Sequence, residues 1–174
     1  MGNNSSSSQP SVEVLIQAES LRKKARQFHL EAQDASNQSQ HEYHHGDKAQ
    51  AKVLSEKKKT LYNQMNENNA QAAQLIFNHY NKNRPNDEID LHELYVNEAL
   101  EYLQTKIDQC RSKSIPQLKV ITGIGNHSQE NIAKIKPKVE QFAHKNNIQM
   151  EIYPGHIILN LSTNVHHNKN CIIL

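Results

Sequence analysis

Gln117–Phe142 reads QLKVITGIGNHSQENIAKIKPKVEQF. An apolar run, QLKVIT, predicts a strand. From Gln129 to Asn146 the apolar residues Ile132, Ile135, Val139 and Phe142 recur at helical steps and predict an inward helix face. Between them stand Gly123 and Gly125, two of only five glycines in the chain. A tight turn would use them for conformational freedom. A phosphate site would use them differently: bare backbone N–H groups approach the anion, and the next helix offers its N-terminus with Ser128 as cap. His127 would stand beside that seat. Pro137 would damage a continuous helix, so it is read as the first residue of a new one after a short preliminary turn.

Upstream, EIDL (Glu88–Leu91) predicts a short strand. Leu94–Arg111 predicts a helix with Val96, Ala99, Leu100, Leu103, Ile107 and Cys110 on one face. Downstream, QMEIY and HIILNL predict two further strands joined by Pro154-Gly155. The order β-α-β-α-β-β over residues 88–162 predicts an α+β or α/β sandwich. In a parallel sheet, ligands gather beyond the carboxyl ends of the strands. The first strand delivers Asp90 and His92 there, on one side by alternation, with Leu91 on the other. A carboxylate two residues from an imidazole can fix its tautomer, or both can face one ligand. The second strand delivers Thr122, Gly123, Gly125, Asn126, His127 and Ser128, with Lys134 further on. The plainer alternatives are that His92 caps the next helix and His127 is a solvated loop residue.

The first half has a different grammar. Val14, Ala18, Leu21, Ala25, Phe28, Ala32 and Ala35 form a narrow alanine-rich stripe, which NQSQ (Asn37–Gln40) is expected to break. After Gly46 a second stripe runs through Ala49, Val53, Leu54, Leu61, Met65, Ala72, Leu75 and Ile76, and ends in the polar linker NHYNKNRPND. Residues 11–84 are thus expected to be a long antiparallel helical hairpin. Arg22, Lys23, Lys24, Arg26 and Lys57 to Lys59 lie on it, either as a solvated face or as contacts to RNA phosphates.

The net charge of +2 does not announce a nucleic-acid binder, and hydrophobic residues make up a lean 36% with no tryptophan. Two cysteines, Cys110 and Cys171, suggest neither a disulfide framework nor a zinc site, so a reducing, cytoplasmic setting is expected. No apolar run approaches the ~18 residues of a membrane span, and no secretory signal is present. Residues 1–10 read as a disordered serine-rich tail and residues 163–174 as a flexible one. MGNNSS fits N-myristoylation at Gly2, and CIIL fits a C-a-a-X box that would prenylate Cys171. One myristoyl chain binds a membrane only marginally, whereas two lipids would hold. Membrane association through lipid anchors is therefore a further expectation.

IDLHELYVNEALEYL, ITGIGNHSQENIAKIKPKVEQF and YPGHIILNL together resemble the Smr (small MutS-related) domain, whose members typically carry L-D-L-H-G and T-G-x-G-x-H-S. The segment Glu42–Arg84 resembles the helical domain of unknown function that often precedes it in eukaryotes. The resemblance implies a fold similar to the C-terminal domain of bacterial translation initiation factor three. It implies nucleic-acid binding and, as in several members, endonuclease activity on DNA or on RNA, the latter linked to stalled ribosomes. The Asp-x-His motif falls on Asp90 and His92. The glycine-rich motif falls on Thr122, Gly123, Gly125, His127 and Ser128. Two departures stand out. Glu93 replaces the glycine after the motif histidine, and Ile124 stands where arginine or lysine is frequent.

Three functions follow. In an RNA endonuclease, His92 and His127 would share the acid and base tasks while Asp90 orients His92. No aspartate–glutamate cluster suggests a two-metal site, so no metal or other cofactor is expected. The second is a non-catalytic module that binds RNA or a ribosomal surface. The third is a membrane-tethered adaptor.

Overall fold

The computed structural model describes residues 10–124 and 133–162. The chain divides into two compact units between Lys82 and Asn83.

The first unit is a hairpin of α1 (Pro10–His44) and α2 (Lys48–Asn81). Ala18, Ala25, Ala32 and Ala35 of α1 are buried, as are Ala51, Leu54, Leu61, Ala72, Ala73 and Ile76 of α2. Small side chains let two helices approach closely, so the seam gains many dispersion contacts from little apolar surface. Ala32, Ala35 and Leu61 form its centre, with Phe28 and Tyr62 packed against them. Gly46 turns the chain at φ +90°. Asp47 then caps α2 by accepting from the Gln50 N–H at 2.9 Å.

Three expectations change here. Asn37–Gln40 does not break α1, which continues to His44. The stretch has no glycine or proline, and its polar residues cost a helix only tenths of a kcal/mol each. Ser39 also donates to the Ala51 carbonyl across the seam at 2.7 Å. In α2 the seam runs through Ala51 and Ala73, whereas Ala49 and Val53 are exposed. Finally, Arg22 is not on a solvated or phosphate-facing surface. It is 4% exposed and donates to the Asn69 side-chain oxygen at 2.9 Å.

The second unit has the order β1 (Glu88–Asp90), α3 (Val96–Ser112), β2 (Gln117–Ile121), α4 (Ile135–Lys145), β3 (Gln149–Ile152), β4 (His156–Asn160). This is the expected β-α-β-α-β-β series. The sheet order is β1-β2-β4-β3, with β1 and β2 parallel and β4 antiparallel to both neighbours. Among the described strands, β1 and β2 alone present parallel neighbouring ends where a ligand would gather. Alternation divides the sheet into two faces. Ile89, Leu118, Val120, Ile157 and Leu159 are at most 1% exposed, and with Leu103, Ile107 and Val139 of the helices they form the core. The other face carries Glu88, Asp90, Lys119, Ile121, His156, Ile158 and Asn160.

α4 starts at Ile135, so Pro137 is its third residue rather than its first. The position is tolerated because first-turn N–H groups have no intrahelical acceptor to lose. Lys134 is the residue at its N-cap. Ala133 and Lys134 are not helical, so the helix expected from Gln129 starts later; Gln129 to Ile132 lie outside the described residues.

Candidate active site

β1 ends on a buried carboxylate. Asp90 is 2% exposed, and such burial is costly unless both oxygens are satisfied. Oδ2 accepts from Arg84 Nη2 at 2.5 Å. Oδ1 accepts from the His92 backbone N–H at 3.1 Å and from His92 Nδ1 at 2.5 Å. The backbone bond is an Asx-turn: it bends the chain out of the strand and carries the imidazole back over the carboxylate.

That geometry sets the tautomer. A carboxylate only accepts, so Nδ1 carries a proton and Nε2 is the nitrogen that titrates. Nε2 lies 4.0 Å from Glu93 Oε1. The hydrogen bond to Asp90 raises the His92 pKa above its ordinary value. Burial opposes the rise, the charges of Asp90 and Glu93 assist it, and that of Arg84 opposes it.

Arg84 ties this pair to a longer row of alternating charge. Its Nη1 donates to Glu88 Oε2 at 3.3 Å, and Lys119 Nζ donates to Glu88 Oε1 at 3.0 Å. The Lys119 hydrogen bond, with help from Arg84, holds the Glu88 carboxyl below the usual carboxylate range. Cation and anion thus alternate from Lys119 through Glu88, Arg84 and Asp90 to His92.

The tip of β2 closes against the tip of β1. The Leu91 N–H donates to the Ile121 carbonyl at 2.9 Å, extending the parallel ladder past Asp90. Gly123 follows at φ +71°, and a Cβ there would stand 3.3 Å from His92 Cβ. Its glycine is thereby explained twice over, by a left-handed backbone and by close approach to the imidazole's own strand. Thr122 is buried, and its N–H donates to the Gly155 carbonyl at 3.1 Å, fastening the same tip to the β3–β4 turn.

The Smr domain family matches residues 89–157, and a domain of unknown function, DUF1771, matches residues 19–81. The Smr domain-containing protein C11H11.03c of Schizosaccharomyces pombe is 34% identical over 140 residues, which span 78% of this chain and 68% of that protein.

The chain belongs to the Smr family.

Endonuclease NBR9 of Saccharomyces cerevisiae is 42% identical over 135 residues, or 78% of this chain; the matched part spans 56% of that relative's length. Among solved structures, the solution structure of the B3BP Smr domain is 38% identical, covering 54% of this chain and 96% of that one with a TM-score of 0.43.

Within this Smr domain, Asp90, His92, Thr122 and Gly123 stand together at the two tips. Lys134 is exposed at the start of α4. Gly125, Asn126, His127 and Ser128 lie outside the described residues, as do Gly2 and Cys171. Glu93 has φ +65°. The glycine usual at this position in the family thus answers a backbone need, and Glu93 adopts a conformation that a side chain disfavours. Ile124 is 56% exposed and brings no charge to the site. Sequence reasoning missed Arg84. It lies in a polar linker with no periodicity, and the sole hint was that a buried aspartate needs a cation. Among the described residues, no three His, Cys, Asp or Glu side chains are grouped to hold a metal ion.

Proposed function

We propose that the chain is an RNA endonuclease whose His92 donates a proton to the leaving oxygen of a phosphodiester. The observation that carries this reading is the buried Asp90 carboxylate, which holds His92 Nδ1 and the Arg84 guanidinium at once. Asp90 orients the ring and favours its protonated form, which suits an acid better than a base at neutral pH. His127 is the proposed base. It takes the proton of the 2′-OH, the 2′-oxygen attacks phosphorus, and the bond from phosphorus to the 5′-oxygen breaks as His92 Nε2 protonates that oxygen. The products are a 2′,3′-cyclic phosphate and a 5′-hydroxyl. The backbone and side chains of Thr122, Gly123, Gly125, Asn126, Ser128 and Lys134 are the proposed phosphate seat. The endonuclease name of the yeast relative supports cleavage, and ribosome-bound RNA is proposed as a substrate on the family resemblance alone.

The test is incubation of purified protein with single-stranded and structured RNA, with and without chelator. His92→Ala should cut about 10²–10⁴-fold more slowly while its melting temperature and RNA affinity stay near wild type. A deoxyribose at the cleaved nucleotide should abolish the product. Undiminished cleavage by His92→Ala would sink the reading.

A second reading, a module that binds RNA without cutting it, is favoured by Ile124: an exposed apolar side chain replaces the cation that would stabilise charge on the phosphate. Binding with no product under every condition would select it. Lipidation rests on the motifs at Gly2 and Cys171 alone, and mass spectrometry of the native protein tests it.

A further inference from the structure

At the β3–β4 turn, Tyr153 and His156 stack with ring centroids 4.7 Å apart and planes 4° from parallel. We propose that this pair is a stacking platform for a nucleobase of the strand whose leaving oxygen is protonated by His92. The proposal rests on the reading above and adds a base-binding subsite to it.

Register puts the platform on the site's own face. Asp90 pairs with Ile121, and Ile121 pairs with His156, so the three form one row across β1, β2 and β4. Two strand spacings separate its ends by about 10 Å, a span that a short single-stranded segment bridges. The turn is held from three sides. The Tyr153 N–H donates to the His156 carbonyl at 3.0 Å, Lys136 Nζ donates to the Tyr153 carbonyl at 2.6 Å, and Thr122 donates to Gly155. The Tyr153 hydroxyl donates to Glu151 Oε2 at 2.8 Å, which fixes the ring's tilt. Even so, Tyr153 remains 39% exposed, and Ile124, which a Cβ on Gly155 would touch at 3.6 Å, remains 56% exposed.

A pre-set aromatic pair and an apolar neighbour thus flank a row of alternating charge. Single-stranded RNA asks for this combination: π-faces for unstacked bases beside polar groups for the backbone. A duplex keeps its bases stacked internally and gains nothing from the platform.

The experiment is fluorescence-anisotropy binding of the full chain to a labelled single-stranded oligoribonucleotide and to a series in which one base at a time is removed. Tyr153→Ala should weaken binding about 5- to 150-fold, whereas Tyr153→Phe, which keeps the ring and loses only the Glu151 bond, should bind like wild type. One abasic position should weaken wild type by a similar factor and leave Tyr153→Ala no weaker. A pair that merely closed the turn would lower the melting temperature without this loss of additivity. Equal binding by wild type and folded Tyr153→Ala would overturn the platform and spare the catalytic reading. So would an abasic series that is flat on wild type, a result that needs no variant to fold. Absence of any RNA binding by wild type would overturn both.

Discussion

Arg22 in the hairpin and Arg84 at the site both donate to oxygen acceptors, Arg22 across a helix seam and Arg84 beside a titrating imidazole. Arg22 donates to the side-chain and backbone oxygens of Asn69, which bear no charge and do not titrate. It pins two helices together. Arg84 donates to two carboxylates, and one of them holds an imidazole by its other oxygen. There the cation acts on a titrating group through the anion between them. One guanidinium thus fastens two helices, and the other tunes an imidazole.

Replacing the acceptor itself should have the largest effect. Asp90→Asn keeps the shape but removes the charge that favours protonated His92. Cleavage should fall about 10²–10⁴-fold, measured as single-turnover rates on RNA. A rate close to wild type would make Asp90 another fastener. Next comes Arg22→Met, which should destabilise the hairpin by about 1–3 kcal/mol, read by hydrogen exchange across α1 and α2. The pH dependence of cleavage should not move; if it did, the distinction between the arginines would fail.

The smaller effects run in opposite directions. Arg84 opposes protonation of His92, so Arg84→Gln should raise the His92 pKa and carry the alkaline fall in activity to higher pH. The shift should be less than about one unit, because the arginine is partly solvated. Glu93 assists protonation, so Glu93→Gly should carry the same limb to lower pH. That variant should also gain up to about 1 kcal/mol in stability, since glycine accepts the left-handed backbone without a side-chain clash. Titration of the His92 ring by NMR reads both signs directly.

The strands were legible as short apolar runs between turns, whereas Asp90 and His92 meet through an Asx-turn past the strand end and not through strand alternation. The order of elements in the second unit was legible because helical steps marked the two helices between those runs. What escaped the sequence depended on three-dimensional closure. Asn37–Gln40 looks like a break when propensity is read alone, but Ser39 meets α2 across the seam. Arg84 precedes Asp90 by six residues, a spacing that corresponds to no regular element. Glu93 was read only as a departure from the family's glycine, and that glycine answers a torsion angle. Gly123 was read as room for a ligand, and the structure gives it two further reasons in its own backbone and in His92.

That last contact has a consequence for anyone who would transplant the chemistry. The β-carbon of His92 sits close to a place where the neighbouring strand end has no side chain, so the aspartate and histidine are not a portable dipeptide. Grafted onto another sheet without the second strand's bare α-carbon, the histidine's backbone would have to shift, and the ring with it. The smallest unit that can be moved is a pair of adjoining strand ends, inherited as one piece.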